Sequence, residues 1–132
     1  QRLGVTPASP GPRPPIDLGY INQVSALELD ELPYGLIVLD SQGFILFYNE
    51  TEAQLTGFSK EKVLGQPFFE KVAPCTRVQE FEGRFHDFVA GKLGRVVFFD
   101  FAFHFEKGTQ NVVIGLSHGR KQGHFNLMLM RV

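Results

Sequence analysis

Four side chains in this sequence have types and spacings that could do chemistry together: Tyr48, Glu52, Thr56 and Cys75. Cys75 is the only cysteine. It follows Pro74, in a turn between a predicted helix end and a longer amphipathic helix, and Phe68 and Phe69 come just before it. A lone thiol in an aromatic-lined turn suits covalent attachment of a small molecule. It suits equally a buried core thiol, the commoner fate of a free cysteine. An ordinary thiol titrates near about 8.5, so attack on an activated acyl group needs local help. The free N–H groups of a helix starting near Val78 could give it by favouring thiolate.

Tyr48 and Glu52 stand four residues apart at a strand-to-helix corner, a spacing that puts both side chains on one side of a helix. A phenol and a neutral carboxylic acid could then both donate to one anionic oxygen. A buried carboxyl with few charged neighbours favours its neutral form and could hold a proton ready for transfer. The competing reading is a capping box, with Asn49 as N-cap and Glu52 at the third helical position, and spacing alone favours the cap. Thr56 extends the same face by four residues. Its hydroxyl could bond Tyr48, although bonding back to its own helix is the default.

The elements that would position these residues follow from periodicity. Ile21, Val24, Leu27 and Leu32 form a weak helical stripe that Leu29 does not fit, and Pro33 ends it. Gly35–Leu39 reads as a buried strand, residues 40–43 as a turn with Gly43 at positive φ, and Phe44–Tyr48 as the returning strand of a hairpin. Asn49 starts a short helix that Gly57 ends, and Ser59 caps a second one through Leu64. Val78, Phe81, Phe85 and Phe88 mark one face of the longer helix, which ends near Gly91. From Val97 to Phe105 the odd positions are Val97, Phe99, Phe101, Phe103 and Phe105, so the period changes to two and an aromatic inner face results. Residues 111–117 and 125–132 supply two more strands. The expected fold is α+β, a five-stranded antiparallel sheet with helices, including the longer connecting helix, packed mainly on one face.

At 132 residues the chain is one domain with one core, here bounded as residues 21–132 after a tail at residues 1–20 that is rich in proline. The net charge of -1 gives no field that would favour nucleic acid or an anionic membrane. No apolar run approaches the roughly 20 residues needed to span a bilayer, and no secretory leader pattern is visible. One cysteine excludes a disulfide framework and fits a reducing cytoplasm. His86, His104, His118 and His124 lack metal-ligand spacing and read as surface residues. Without a nucleophile triad or a phosphate-cradling loop, nothing argues for an enzyme. The absence of a heptad or an obvious apolar patch leaves a monomer as the expectation.

The run Phe68-Phe69-x-x-Val72-Ala73-Pro74-Cys75-Thr76, followed by Glu80-Phe81-x-Gly83-x-Phe85, resembles the photoactive yellow protein family. Gly35, Asp40, Gly43, Ile45-Leu46 and Tyr48-Asn49-x-x-Glu52-x-x-x-Thr56-Gly57 match the same family in register, and Met130-Arg131-Val132 is similar at the end. The resemblance implies a PAS-type sheet and p-coumaric acid (4-hydroxycinnamic acid) joined to Cys75 as a thioester. It implies that Tyr48 and protonated Glu52 hold the chromophore's phenolate, that Thr56 supports Tyr48, and that Phe68 and Phe101 pack beside the chromophore. Blue light would isomerise the chromophore from trans to cis, and Glu52 would pass its proton to the phenolate. The carboxylate left behind, buried and unpaired at a cost of several kcal/mol, would drive partial unfolding as the signal to a downstream protein.

Two positions depart from the family. Phe58 stands where an arginine usually covers the chromophore, which implies a drier pocket and altered recovery. Phe105 replaces a methionine used in the thermal return, which implies slower dark recovery. The proline-rich start also differs from the usual one. Two other readings compete: a PAS-type interaction or dimerisation module with an inert Cys75, and a PAS sensor for a different ligand. The joint presence of Tyr48, Glu52, Thr56 and Cys75 favours the photoreceptor.

Overall fold

The computed structural model describes residues 21–22, 25–105 and 107–131; the proline-rich segment, Val24, Glu106 and Val132 lie outside them. Five strands form one antiparallel sheet: β1 (Gly35–Asp40), β2 (Ile45–Tyr48), β3 (Val96–Phe105), β4 (Gly108–His118) and β5 (His124–Arg131). Their order is β2-β1-β5-β4-β3, so the N-terminal hairpin meets the C-terminal strands through the β1–β5 pairing. That pairing sets Gly35 opposite Leu129 and Ile37 opposite Leu127. Asp40 closes the first hairpin through its carboxylate, which accepts from the N–H groups of Gln42 and Phe44, and Gly43 takes the expected positive φ of 90°.

The strands alternate as a sheet with two covered faces requires. Ile37, Leu39, Ile114, Leu116, Leu127 and Leu129 face one core, which Phe68, Phe69, Phe81, Phe85 and Phe88 fill from the helical side. Leu36 and Met128 face the other side, where Ile21, Leu32 and Tyr34 cover them.

On that second face lies α1 (Ala26–Asp30), opened by a capping box between Ser25 and Glu28. The sequence stripe is corrected here. Leu27 is 78% exposed, and Leu29 is the residue that packs against the cluster. The stripe from Ile21 runs across Ser25, where a new helix begins, so its phase is not kept.

Six short helical pieces connect the hairpin to β3. Helix α2 (Glu50–Thr56) ends on Gly57 in the left-handed conformation, as the sequence predicts. In α3 (Lys60–Val63) Ser59 occupies the N-cap position without capping, because its hydroxyl bonds the Glu61 carboxylate instead. The longer helix is a wide π turn at Gln79–Gly83 running into α4 (Arg84–Val89). Phe81, Phe85 and Phe88 are fully buried as predicted, whereas Val78 precedes the helix and is exposed. Among the described residues, no helix is long and apolar enough to cross a membrane.

Candidate functional site

Asn49 fixes the corner on which the site is built. It is fully buried, and its side-chain carbonyl accepts from the N–H groups of both Leu36 and Glu52. Its amide donates to the carbonyls of Leu29 and Tyr34, so one side chain ties β1, α1 and the start of α2 together. The capping reading is therefore half right. Asn49 caps α2, but the Glu52 carboxylate does not reach back to it.

That carboxylate meets Arg131 instead. The two guanidinium nitrogens Nη1 and Nη2 lie 2.5 and 2.9 Å from its two oxygens, and Glu52 is only 3% exposed. This corrects the expectation of few charged neighbours. The β5 alternation that points Phe125, Leu127 and Leu129 into the core also points Arg131 to that side, opposite Val112 of β4. An arginine there needs an anion, and Glu52 is the buried acid within reach. Gly35 makes the room: a Cβ on it would sit 2.0 Å from Glu52 Oε1.

Tyr48 is buried, and its hydroxyl lies 3.0 Å from Thr56 Oγ1. Thr56 also donates to the Glu52 backbone carbonyl at 2.9 Å, so both readings of this hydroxyl hold at once. A threonine has one hydroxyl proton. While it goes to Glu52 O, Tyr48 must be the donor to Thr56. Burial is the main cause that pushes the Tyr48 phenol from its ordinary 10.0 up to about 12. The Thr56 hydrogen bond opposes it, the Glu52 charge adds to it, and the Arg131 charge again opposes it.

Cys75 lies at the other end, on a 3-10 turn at Pro74–Thr76 that is flanked by π turns at Phe68–Val72 and Gln79–Gly83. The turn is held by Thr76, whose N–H and hydroxyl both donate to the Ala73 carbonyl, at 2.9 and 2.6 Å. Cys75 itself is exposed, which removes the core-thiol reading. Nor does the following helix lower its pKa. Partial enclosure of the thiol by neighbouring atoms raises it above the ordinary thiol value, and the turn's own backbone N–H offsets this only in part.

A row of aromatic rings packs in the core cluster to which Tyr48 also belongs. Phe81 packs its ring against Phe68 at 6.1 Å and against Phe101 at 5.1 Å, so the two predicted lining residues share one buried neighbour. Phe103 continues the row at 5.1 Å from Phe101. Phe58 stands apart, 45% exposed, in a shallow surface cleft with Glu50 and Glu61. Its N–H donates to Thr56 Oγ1. A second cleft, along β3 and β4, takes in Phe101 but none of the other predicted residues. The side chain of Phe105 lies outside the described residues. The structure thus gathers Tyr48, Glu52 and Thr56, sets Phe68 and Phe101 on a common ring, and leaves Cys75 and Phe58 toward solvent. Sequence reasoning missed Arg131. Its signal was a charged residue in phase with the core-facing positions of β5.

This donor set fits a phenolic acyl group: an accessible thiol to acylate, an aromatic row, a buried phenol bonded to the Thr56 hydroxyl, and a buried carboxyl. The PAS fold model matches residues 25–96. The photoactive yellow protein of Rhodothalassium salexigens is 36% identical over 106 residues, 80% of this chain and 83% of that protein. That of Halochromatium salexigens is 43% identical over 92 residues, covering 69% of this chain and 72% of its own. In three dimensions the chain is similar to the photoactive yellow protein domain of the sensor histidine kinase Ppr from Rhodospirillum centenum. The TM-score is 0.77 and the identity 35%, over 86% of this chain and 98% of that one. By fold and by sequence, the chain belongs to the photoactive yellow protein family of PAS-fold proteins.

Proposed function

We propose that this chain is a blue-light photoreceptor carrying p-coumaric acid as a thioester on Cys75. The reading rests on one observation above all: the buried Tyr48 phenol is bonded to the Thr56 hydroxyl, which is itself tied to the buried Glu52, in a chain that also presents an accessible Cys75. When bound, the coumaroyl group supplies absorption of blue light and a double bond able to isomerise.

The chain's own residues do the rest. Cys75 Sγ forms the bond to the acyl carbon of an activated ester, loses its proton to solvent and releases the activating group. Thr56 turns its proton from Glu52 O to Tyr48, which frees the Tyr48 proton to point at the phenolate. Glu52 in its neutral form gives a second donor. A phenol ordinarily titrates near about 10, so an anionic one near pH 7 depends on such donors. Phe68, Phe81 and Phe101 keep water from the site, which strengthens both hydrogen bonds. The relatives' names and the kinase that carries the similar domain support a sensory role, with a signalling protein as the downstream partner.

The test is an absorption spectrum of protein incubated with activated p-coumaric acid, before and after a blue flash, with Cys75→Ala as control. A visible band that bleaches and recovers, absent from the control, is the expected result. Folded protein, checked by circular dichroism, that forms no visible band would overturn the reading and favour a PAS interaction module with an inert Cys75.

A further inference from the structure

Glu52 has two possible partners that demand opposite protonation states. Facing the site beside Tyr48, it must be a neutral acid to donate. Facing Arg131 it must be a carboxylate, because a guanidinium has five donors and no acceptor and stays charged throughout. The structure shows the second arrangement fully formed, with both oxygens engaged.

We propose that Arg131 is a positioning residue for the proton donor: it takes the Glu52 carboxylate whenever Glu52 does not carry the proton. This rests on the photoreceptor reading above and changes its last step. When the Oε–H bond of Glu52 breaks, the proton passes to the phenolate oxygen it was facing, and the electron pair stays on the carboxylate. No charge is created or lost in the site. The new carboxylate is not left unpaired, because Arg131 at the edge of the core receives it.

The geometry supports a switch rather than a fixed pair. Arg131 is anchored on β5 but keeps about a fifth of its side chain exposed, so it can release Glu52 and be solvated. Gly35 leaves the space beside β1 in which the carboxyl sits. The signalling state then stores its charge in a β5–α2 ion pair, and the strand that joins the two halves of the sheet is the one that senses the proton.

The test follows the guanidinium N–H signals of Arg131 by nitrogen-15 NMR in three samples: protein before acylation, protein acylated with p-coumaric acid in the dark, and the same sample under continuous blue light. Glu52→Gln provides the unpaired reference. Signals characteristic of the pair are expected before acylation, lost in the acylated dark sample and restored under light. In a kinetic companion, Arg131→Gln should return from the bleached state faster, by a factor on the order of ten, with Arg131→Lys between it and the wild type. If Arg131→Gln fails to fold, the wild-type signals decide alone. A visible band that bleaches while Arg131 keeps the same partner in dark and light would overturn the switch and leave the photoreceptor intact. No visible band at all would overturn both.

Discussion

At the Tyr48 end of the site, the Tyr48 hydroxyl, the Thr56 hydroxyl and both Glu52 oxygens each have a partner within 3.0 Å. At the Cys75 end the thiol is exposed, and the bonds that hold its turn run through Thr76 and the backbone. Tyr48 and Glu52 at the first end are buried, so their polar groups must be satisfied to exist there at all. The second is solvent-accessible, so its reactive atom can stay uncommitted. Holding a charge requires a preformed network, whereas accepting a covalent group requires access. The two ends should therefore respond very differently to substitution.

The largest contrast is in stability. Arg131→Ala leaves the buried Glu52 carboxylate without its partner and should destabilise the fold by about 3 kcal/mol, the lower end for a broken buried pair because Arg131 is partly exposed. Cys75→Ala should change stability by no more than about 0.5 kcal/mol. Urea unfolding of both variants at neutral pH measures the difference. Equal values would mean that the network at the Tyr48 end does not hold the fold, and the contrast between the ends would collapse.

The same contrast separates what sequence could and could not show. The hairpin, the aromatic stripe of Phe81, Phe85 and Phe88, and the cap and stop of α2 at Asn49 and Gly57 are local patterns, and each is found as read. The Tyr48, Glu52, Thr56 face is local as well, since four-residue spacing defines it. The Glu52–Arg131 pair joins residues 79 apart in sequence, through strand pairing that no local pattern encodes. Periodicity could only mark Arg131 as a charge in phase with core residues. Leu27 and Val78 were misplaced for a related reason. Leu27 lies just inside the start of α1 and Val78 just before the Gln79–Gly83 turn, and at such boundaries the phase of a stripe changes with the cap or with a π turn.

The next effect concerns the buried phenol. Tyr48 titrates at about 12 in the fold against an ordinary 10.0, so the folded state holds this proton more tightly than the unfolded chain. The resulting stabilisation is fully present below pH 10 and is lost as pH rises from 10 through about 12. Two units correspond to roughly 2–3 kcal/mol. Wild type should lose that much more stability than Tyr48→Phe over this window, in paired urea titrations. Parallel pH profiles would place Tyr48 in contact with solvent and remove the main asymmetry between the two ends.

The smallest effect sharpens the comparison from the other side. Partial enclosure pushes the Cys75 thiol up, which disfavours thiolate, and exposure alone is left to promote acylation. The rate of reaction with an activated p-coumaroyl ester should climb close to tenfold per unit between about pH 7 and pH 9, without levelling. That window stays below the alkaline range in which Tyr48 begins to destabilise the fold, so the slope reports the thiol and not unfolding. A short peptide with the sequence of residues 73–77 should begin to level near the ordinary thiol value, because nothing encloses its sulfur. If the folded protein levels first, the N–H groups at the start of the Gln79–Gly83 turn are lowering the thiol after all. The Cys75 end would then be tuned by its surroundings just as the Tyr48 end is.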